Sequence, residues 1–223
     1  MRSILRLTVL GGLVLLGAAQ AASAQSHTWT FESLTDEGWG AGFGNDASAT
    51  FPIENIGGSN RMRVANTASF QDAGHEGGNT SSTFFLAMQA AAANPSGYEF
   101  HYDWLVDTTQ VTGGTFAQLG SYVNTGSGYY AQNFPATGKE AEINGAQLAS
   151  GQVLTGSVNV PFTAYGTIPP GESFYRIGLI INTDASALPV HYDNISIRPV
   201  PEPSALALVG LGALGALRRR RNA

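Results

Sequence analysis

Residues 99–106, Glu99-Phe100-His101-Tyr102-Asp103-Trp104-Leu105-Val106, decide the fold class. Phe100, Tyr102, Trp104 and Val106 alternate with Glu99, His101 and Asp103. A period of two in aromatic and β-branched residues is that of a strand with one buried face. Reading outward, the pattern recurs. Trp29 and Phe31 alternate with Thr28, Thr30 and Glu32, and Met62 and Val64 with Arg61 and Arg63. Residues 153–162, 174–181 and 190–197 are further β-rich runs. Turn signals separate them: Gly57-Gly58, Gly77-Gly78-Asn79, Gly113-Gly114, Gly126-Ser127-Gly128 and Pro169-Pro170-Gly171. Only residues 84–93 (FFLAMQAAAA) read as a short helix. Helices do not alternate with the strands, so the expected fold is all-β: an antiparallel β-sandwich, jelly-roll-like, over residues 25–198.

The two ends read as addresses. Arg2 and Arg6 form a basic n-region, residues 7–19 an apolar h-region, and Ala22-Ser23-Ala24 a small-residue cleavage site. This predicts a signal peptide over residues 1–24, removed by signal peptidase, with Gln25 as the new N-terminus. At the other end Pro199 to Pro203 (PVPEP) form a stiff, extended linker. Residues 204–217 are apolar, rich in Gly, Ala and Leu, and predict a short hydrophobic helix; Arg218, Arg219, Arg220 and Arg221 follow at once. Such a stretch is short against the roughly 20 residues that cross a bilayer. The arginine cluster holds that end in the cytoplasm, which leaves the domain outside.

Between the ends the chain is acidic. Residues 26–200 hold five basic residues (Arg61, Arg63, Lys139, Arg176, Arg198) against fifteen Asp and Glu, a balance that the six terminal arginines conceal in the whole-chain charge of −5. Such a surface repels phosphate backbones, so nucleic acid is not an expected partner. There is no cysteine, so stability in an exported domain has to come from a core, with or without a bound ion.

The order Val200-Pro201-Glu202-Pro203, an apolar stretch, then Arg218 to Arg221 resembles the PEP-CTERM sorting signal, over residues 200–223 only. The resemblance implies recognition of the 199–223 tail by exosortase, a membrane-embedded cysteine transpeptidase or protease. It also implies transient membrane anchoring through that tail, processing near the motif, and delivery to the cell surface or extracellular matrix in Gram-negative bacteria that make extracellular polysaccharide. It gives a destination and leaves the domain's activity open.

The domain itself opens with Trp29-Thr30-Phe31-Glu32 and then Glu37-Gly38-Trp39, and closes with His191-Tyr192-Asp193-Asn194-Ile195-Ser196-Ile197. Both ends are similar to non-catalytic carbohydrate-binding modules of the jelly-roll type. That resemblance implies neighbouring first and last strands and a structural calcium beside them, with Glu32 and Asp193 as side-chain ligands; calcium takes six to eight hard oxygens. Asp193 shares a predicted strand face with Ile195 and Ile197, and an inward carboxylate needs a partner. That partner is either the ion or main-chain N–H groups at the strand end. His-Tyr-Asp occurs twice, at 101–103 and 191–193, with His and Asp on one strand face each time. The pairs read as His–Asp hydrogen bonds or as a transition-metal site of nitrogen and oxygen ligands.

Sugar binding needs flat, presented rings. Tyr129 and Tyr130 follow the Gly-rich turn 125–128 and are expected at the surface, Trp39 between Gly38 and Gly40 fits core or surface, and Trp104 alternates into the core. No catalytic residue is expected: there is no cysteine nucleophile, no Gly-x-Ser-x-Gly, no His-Glu-x-x-His, and no carboxylate pair stands out among the fifteen acids. The sequence therefore predicts an exported cell-surface or matrix protein, structural or adhesive. The alternatives are a module that recognises extracellular polysaccharide or, third, a hydrolase of matrix glycan. No cofactor is implied beyond the possible calcium.

Overall fold

The computed structural model describes residues 25–41, 50–65, 70–78, 81–131 and 139–201. The signal segment 1–24, Glu202, Pro203, the 204–217 stretch and Arg218 to Arg221 lie outside the described residues.

Twelve strands form among the described residues: β1 (His27–Trp29), β2 (Trp39–Ala41), β3 (Ile53–Ile56), β4 (Ser59–Ala65), β5 (Phe70–Gly77), β6 (Tyr98–Asp107), β7 (Phe116–Thr125), β8 (Tyr129–Ala131), β9 (Ala141–Asn144), β10 (Val153–Pro161), β11 (Tyr175–Thr183) and β12 (Pro189–Pro199). All pairings are antiparallel and fall into two six-stranded sheets. The first runs β10-β6-β12-β4-β3 with β1 added beside β12; the second runs β2-β5-β11-β7-β8 with β9 added beside β7. The sheets close on one core. From the first come Phe100, Tyr102, Met62, Val64, Tyr192, Ile195 and Ile197; from the second Ile177, Leu179, Ile181, Leu119 and Val123. Each such side chain contributes about 1.5–3 kcal/mol of burial. The alternation at 99–106 therefore reads correctly: Phe100 and Tyr102 are fully buried while Glu99, His101 and Asp103 point outward, with Trp104 half-buried against the core.

Helix α1 (Thr83–Ala93) falls where the FFLAMQAAAA run predicts it. Ser82 caps it by accepting the Phe85 N–H at 3.1 Å, a device worth about 1 kcal/mol. Phe84, Phe85, Met88 and the alanines at 87, 91 and 92 bury it against β12 and β1. A second short helix, α2 (Gly145–Leu148), is held by a capping box of Asn144 and Gln147.

Two local readings change. The Trp29/Phe31 alternation outruns its strand: β1 stops at Trp29, and Phe31 is buried through a turn with φ of 59°. Asp193 does not share a face with Ile195 and Ile197. The register slips between Asp193 and Ser196, with Asn194 at φ 50°, a β-bulge that turns Asp193 outward and returns Ile195 inward.

The core also holds a cluster of polar side chains. Tyr102 donates to Glu140 Oε2 at 2.7 Å and Ser121 to Glu140 Oε1 at 2.5 Å, while the Ser121 hydroxyl also meets that of Tyr165 at 2.5 Å. Burial first, and then the Glu140 carboxylate, pushes the Tyr102 and Tyr165 hydroxyls well above the usual tyrosine range.

Candidate functional site

The outer face of the second sheet is built on glycine. Gly178 on the central strand β11 pairs with Tyr122 on β7 and Gly74 on β5. A Cβ at Gly178 would lie 2.3 Å from the Tyr122 ring, and one at Gly74 would lie 2.4 Å from Arg176 Nε. The missing side chains let a phenol and a guanidinium lie close on the strands. There they connect. Arg176 Nε donates to the Tyr122 hydroxyl at 3.1 Å, and Tyr122 donates to Asp72 Oδ2 at 2.7 Å. Arg176 also donates to Glu76 Oε2 at 2.9 Å and to the Ala41 carbonyl at 2.7 Å. Asp72, Tyr122 and Arg176 are all buried. Burial first, then the Asp72 charge, raises the Tyr122 hydroxyl far above the ordinary tyrosine value against the opposing pull of Arg176. Tyr129 lies over this assembly, its ring stacked on Tyr122 with centroids 5.1 Å apart and planes 27° apart. It is 56% exposed, and Phe70 on the same face is 42% exposed. Tyr129 is thus a flat ring fixed from beneath by a buried, charged scaffold. Asn182 and Gln118, hydrogen-bonded at 3.0 Å, continue the polar surface on the same side.

The first sheet's outer face is different. Arg198 donates to Glu99 and Asn159, His101 meets Asn159 at 2.8 Å and Asp103 at 3.5 Å, and Asp103 accepts from Ser157 and Asn194. His191 lies 2.9 Å from Glu54 Oε2, and Arg63 is 3.7 Å from the same carboxylate. The two His-Tyr-Asp tripeptides lie side by side, with Asp103 directly opposite Asp193. Their histidines turn to different partners, His101 to Asp103 and His191 to Glu54 and not to Asp193. Among the described residues no three His, Cys, Asp or Glu side chains gather as a metal site.

Of the residues expected to present rings to a sugar, Tyr129 is the exposed one. Trp39 is a correction: it is 2% exposed and packs edge-on to Trp29 at 5.3 Å, inside the core, because β2 places it opposite His75 on the inner face. Tyr130 is half-buried and packs against the core, since alternation along β8 turns it opposite to Tyr129. Glu32 and Asp193, the residues expected to hold calcium, each have protein partners here. Glu32 Oε2 accepts from Asn60 at 3.1 Å. Asp193 accepts from Ser59 at 2.5 Å and from the Asn194 N–H at 2.7 Å, and faces the Arg61 guanidinium at 3.9 Å. Arg61 brings to Asp193 the positive charge that an ion would bring. Nothing local in the sequence marks Arg176 and Asp72; the glycines at 74 and 178, which face each other across β5 and β11, are the available signal.

The first and last strands meet at one pole. His27 pairs with Ile197, and β12 pairs with β6 as far as Pro199 and Tyr98. Val200, the first residue of the Pro-Glu-Pro segment, donates its N–H to the Gly97 carbonyl at 2.9 Å. Beside them His27, Trp29, His75 and Phe84 form an aromatic cluster, with the His27 ring 4.3 Å from Trp29 and 6.0 Å from His75. Burial lowers both histidines, His75 to about 4. Among the described residues no helix is long and apolar enough to cross a membrane.

The PEP-CTERM protein-sorting motif matches residues 199–221, and it implies an exported, cell-surface protein that exosortase processes. No curated protein matches the chain. Among solved structures the sandwich is similar to a non-crystalline cellulose specific carbohydrate-binding module, CBM28, at 16% identity and a TM-score of 0.55, over 77% of this chain and 92% of that one. It is also similar to the mannan-recognising module TmCBM27 at 11% identity and a TM-score of 0.49, over 80% and 100%. A family 11 module from Clostridium thermocellum, in complex with a mixed-linked tetrasaccharide, matches at 11% and 0.45, over 79% and 97%. The likeness is one of fold.

Proposed function

We propose that this is a non-catalytic adhesive protein of the cell surface or extracellular matrix, cut by signal peptidase after Ala24, whose second sheet holds neutral polysaccharide on its outer face. The observation that carries the reading is Tyr129, an exposed ring stacked on a buried Tyr122 that is itself locked to Asp72 and Arg176. A sugar ring packs its C–H face on such a surface at little entropic cost, because the tyrosine is already fixed. The class of ligand follows from charge. Asp72 and Glu76 flank Arg176, and the guanidinium is already bonded to Glu76, Tyr122 and a carbonyl. A uronate chain would meet net negative charge there, whereas a neutral chain meets none. The same engagement argues against catalysis: Asp72 and Glu76 are held by Tyr122 and Arg176, and a glycosidase needs two carboxylates able to exchange protons at a glycosidic bond.

The test is affinity electrophoresis of the exported protein through gels containing neutral or uronate polysaccharides. Retardation by a neutral glucan or mannan, lost about tenfold in Tyr129→Ala, is expected, a change of about 1.4 kcal/mol. Unretarded wild-type protein on every glycan would leave the purely structural reading. Sorting is checked separately by intact mass: the mature protein lacks residues 1–24 and Arg218 to Arg221, and retains the arginines when the sorting enzyme is deleted.

A further inference from the structure

We propose that the mature N-terminus, Gln25-Ser26-His27, binds a square-planar Cu(II) or Ni(II) ion. The inference rests on the cut after Ala24 proposed above. A chain that starts at Gln25 carries its histidine third. That spacing brings four nitrogens into one plane around a single ion: the Gln25 α-amine, the main-chain nitrogens of Ser26 and His27, and His27 Nδ1. Nitrogen ligands in a tetragonal plane are what Cu(II) and Ni(II) select. The chelate rings close only when the histidine is third; one residue more breaks them.

The fold leaves this segment able to close. Gln25 and Ser26 are exposed and precede β1, so only His27, the first residue of β1 and paired with Ile197, has to leave the end of the sheet for its main-chain nitrogen to bind. His27 is half-buried and turns Nδ1, the nitrogen the chelate needs, to the Thr83 hydroxyl at 2.7 Å. A hydroxyl can rotate away and give up that place to a metal. The groups facing His27 are Trp29 on its own strand, Thr83 and Phe84 on α1, and His75 on β5; of these His75 alone is titratable, and burial lowers it to about 4. The Tyr98 hydroxyl meets the Gln25 main chain at the same pole. Binding releases the ammonium proton of Gln25 and the two amide protons, so affinity rises steeply with pH. The charge left on the two amide nitrogens balances that of the divalent ion.

The indole of Trp29, 4.3 Å from the His27 ring, supplies a reporter, because paramagnetic Cu(II) at that distance quenches its fluorescence. The experiment takes the exported protein from its host, sequences its N-terminus, and titrates it with copper(II) chloride at neutral pH. The expected result is a free Gln25 amine, one tight equivalent of Cu(II), the visible band of a four-nitrogen square plane, and tryptophan quenching that reverses on acidification. Two variants should each weaken binding by about 100-fold with an unchanged circular dichroism spectrum: His27→Gln, and one alanine inserted before Gln25, which makes the histidine fourth. A free Gln25 amine without tight copper, or equal binding by the insertion variant, overturns the site. A chain that starts elsewhere, or a Gln25 whose amine has cyclised onto its side chain, overturns it through its premise.

Discussion

The outer faces of the two sheets start from the same strand alternation and finish as different surfaces. On the first sheet, Arg198, Glu99, His101, Asp103 and Asn159 satisfy one another across β10, β6 and β12, and the solvated ladder carries no exposed ring. On the second, glycines at 74 and 178 admit a buried Asp72–Tyr122–Arg176 chain, and Tyr129 and Phe70 stand exposed above the strands. An ion pair in water costs a surface nothing to keep and adds little. A buried charge costs several kcal/mol unless it is paired, so a face that keeps one is organised around it. The difference separates a surface that only faces water from one that holds an aromatic in position.

The comparison breaks first at Arg176. Arg176→Met removes a buried cation and leaves Asp72 beneath Tyr122, and the expected loss is about 3–5 kcal/mol in urea unfolding. A loss below about 1 kcal/mol would mean that the second face is no more organised than the first. Gly178→Val tests the cradle: its side chain enters the space of the Tyr122 ring, so a loss of about 3 kcal/mol is expected together with loss of the Tyr129 stacking, read by near-UV circular dichroism. Acid then separates the core from both faces. His75 has a folded value of about 4 against 6.5, so the unfolded chain takes up its proton first as pH falls. Stability is therefore full above pH 6.5, falls by about 3 kcal/mol as pH drops to 4, and levels off below; His75→Gln should flatten this part of the profile. On the first face the effects should be small. Glu99→Gln weakens a part-buried pair with Arg198 and should shift stability by no more than about 1 kcal/mol. The smallest expected effect is that of EDTA, which should leave the melting temperature where it is, since Arg61 and Ser59 already serve Asp193. A fall of about 5 °C on chelation would restore a calcium site at Asp193.

The strands and the single long helix were readable because their signals are local: alternation at 99–106, glycine turns, and the FFLAMQAAAA run. What resisted reading depends on residues far apart in the chain. One bulge residue, Asn194, reverses the side on which Asp193 lies, and alternation carries no mark of it. Trp39 and Tyr129 both stand beside glycine, yet β2 turns one into the core and β8 turns the other out. Arg176 looks like any lone basic residue in a β-rich run. Its role comes from Gly74, Tyr122 and Glu76, which lie 54 to 102 positions away and meet it only across strand pairings.

The pairing of His27 with Ile197 has a mechanical meaning. Because the first and last strands run antiparallel with their ends at one pole, tension between Gln25 and Val200 opens β1 from β12 like a zipper, one bond pair at a time. Tension that enters at Val200 and is resisted by the body of the sandwich loads β12 along its length. There, neighbours on both sides oppose it in shear, β6 on one and β4 and β1 on the other. A single-molecule experiment should find the sandwich weak when pulled by its two ends. It should be several times stronger when pulled between Val200 and a point on the second sheet, the direction in which a tether to a matrix would load it.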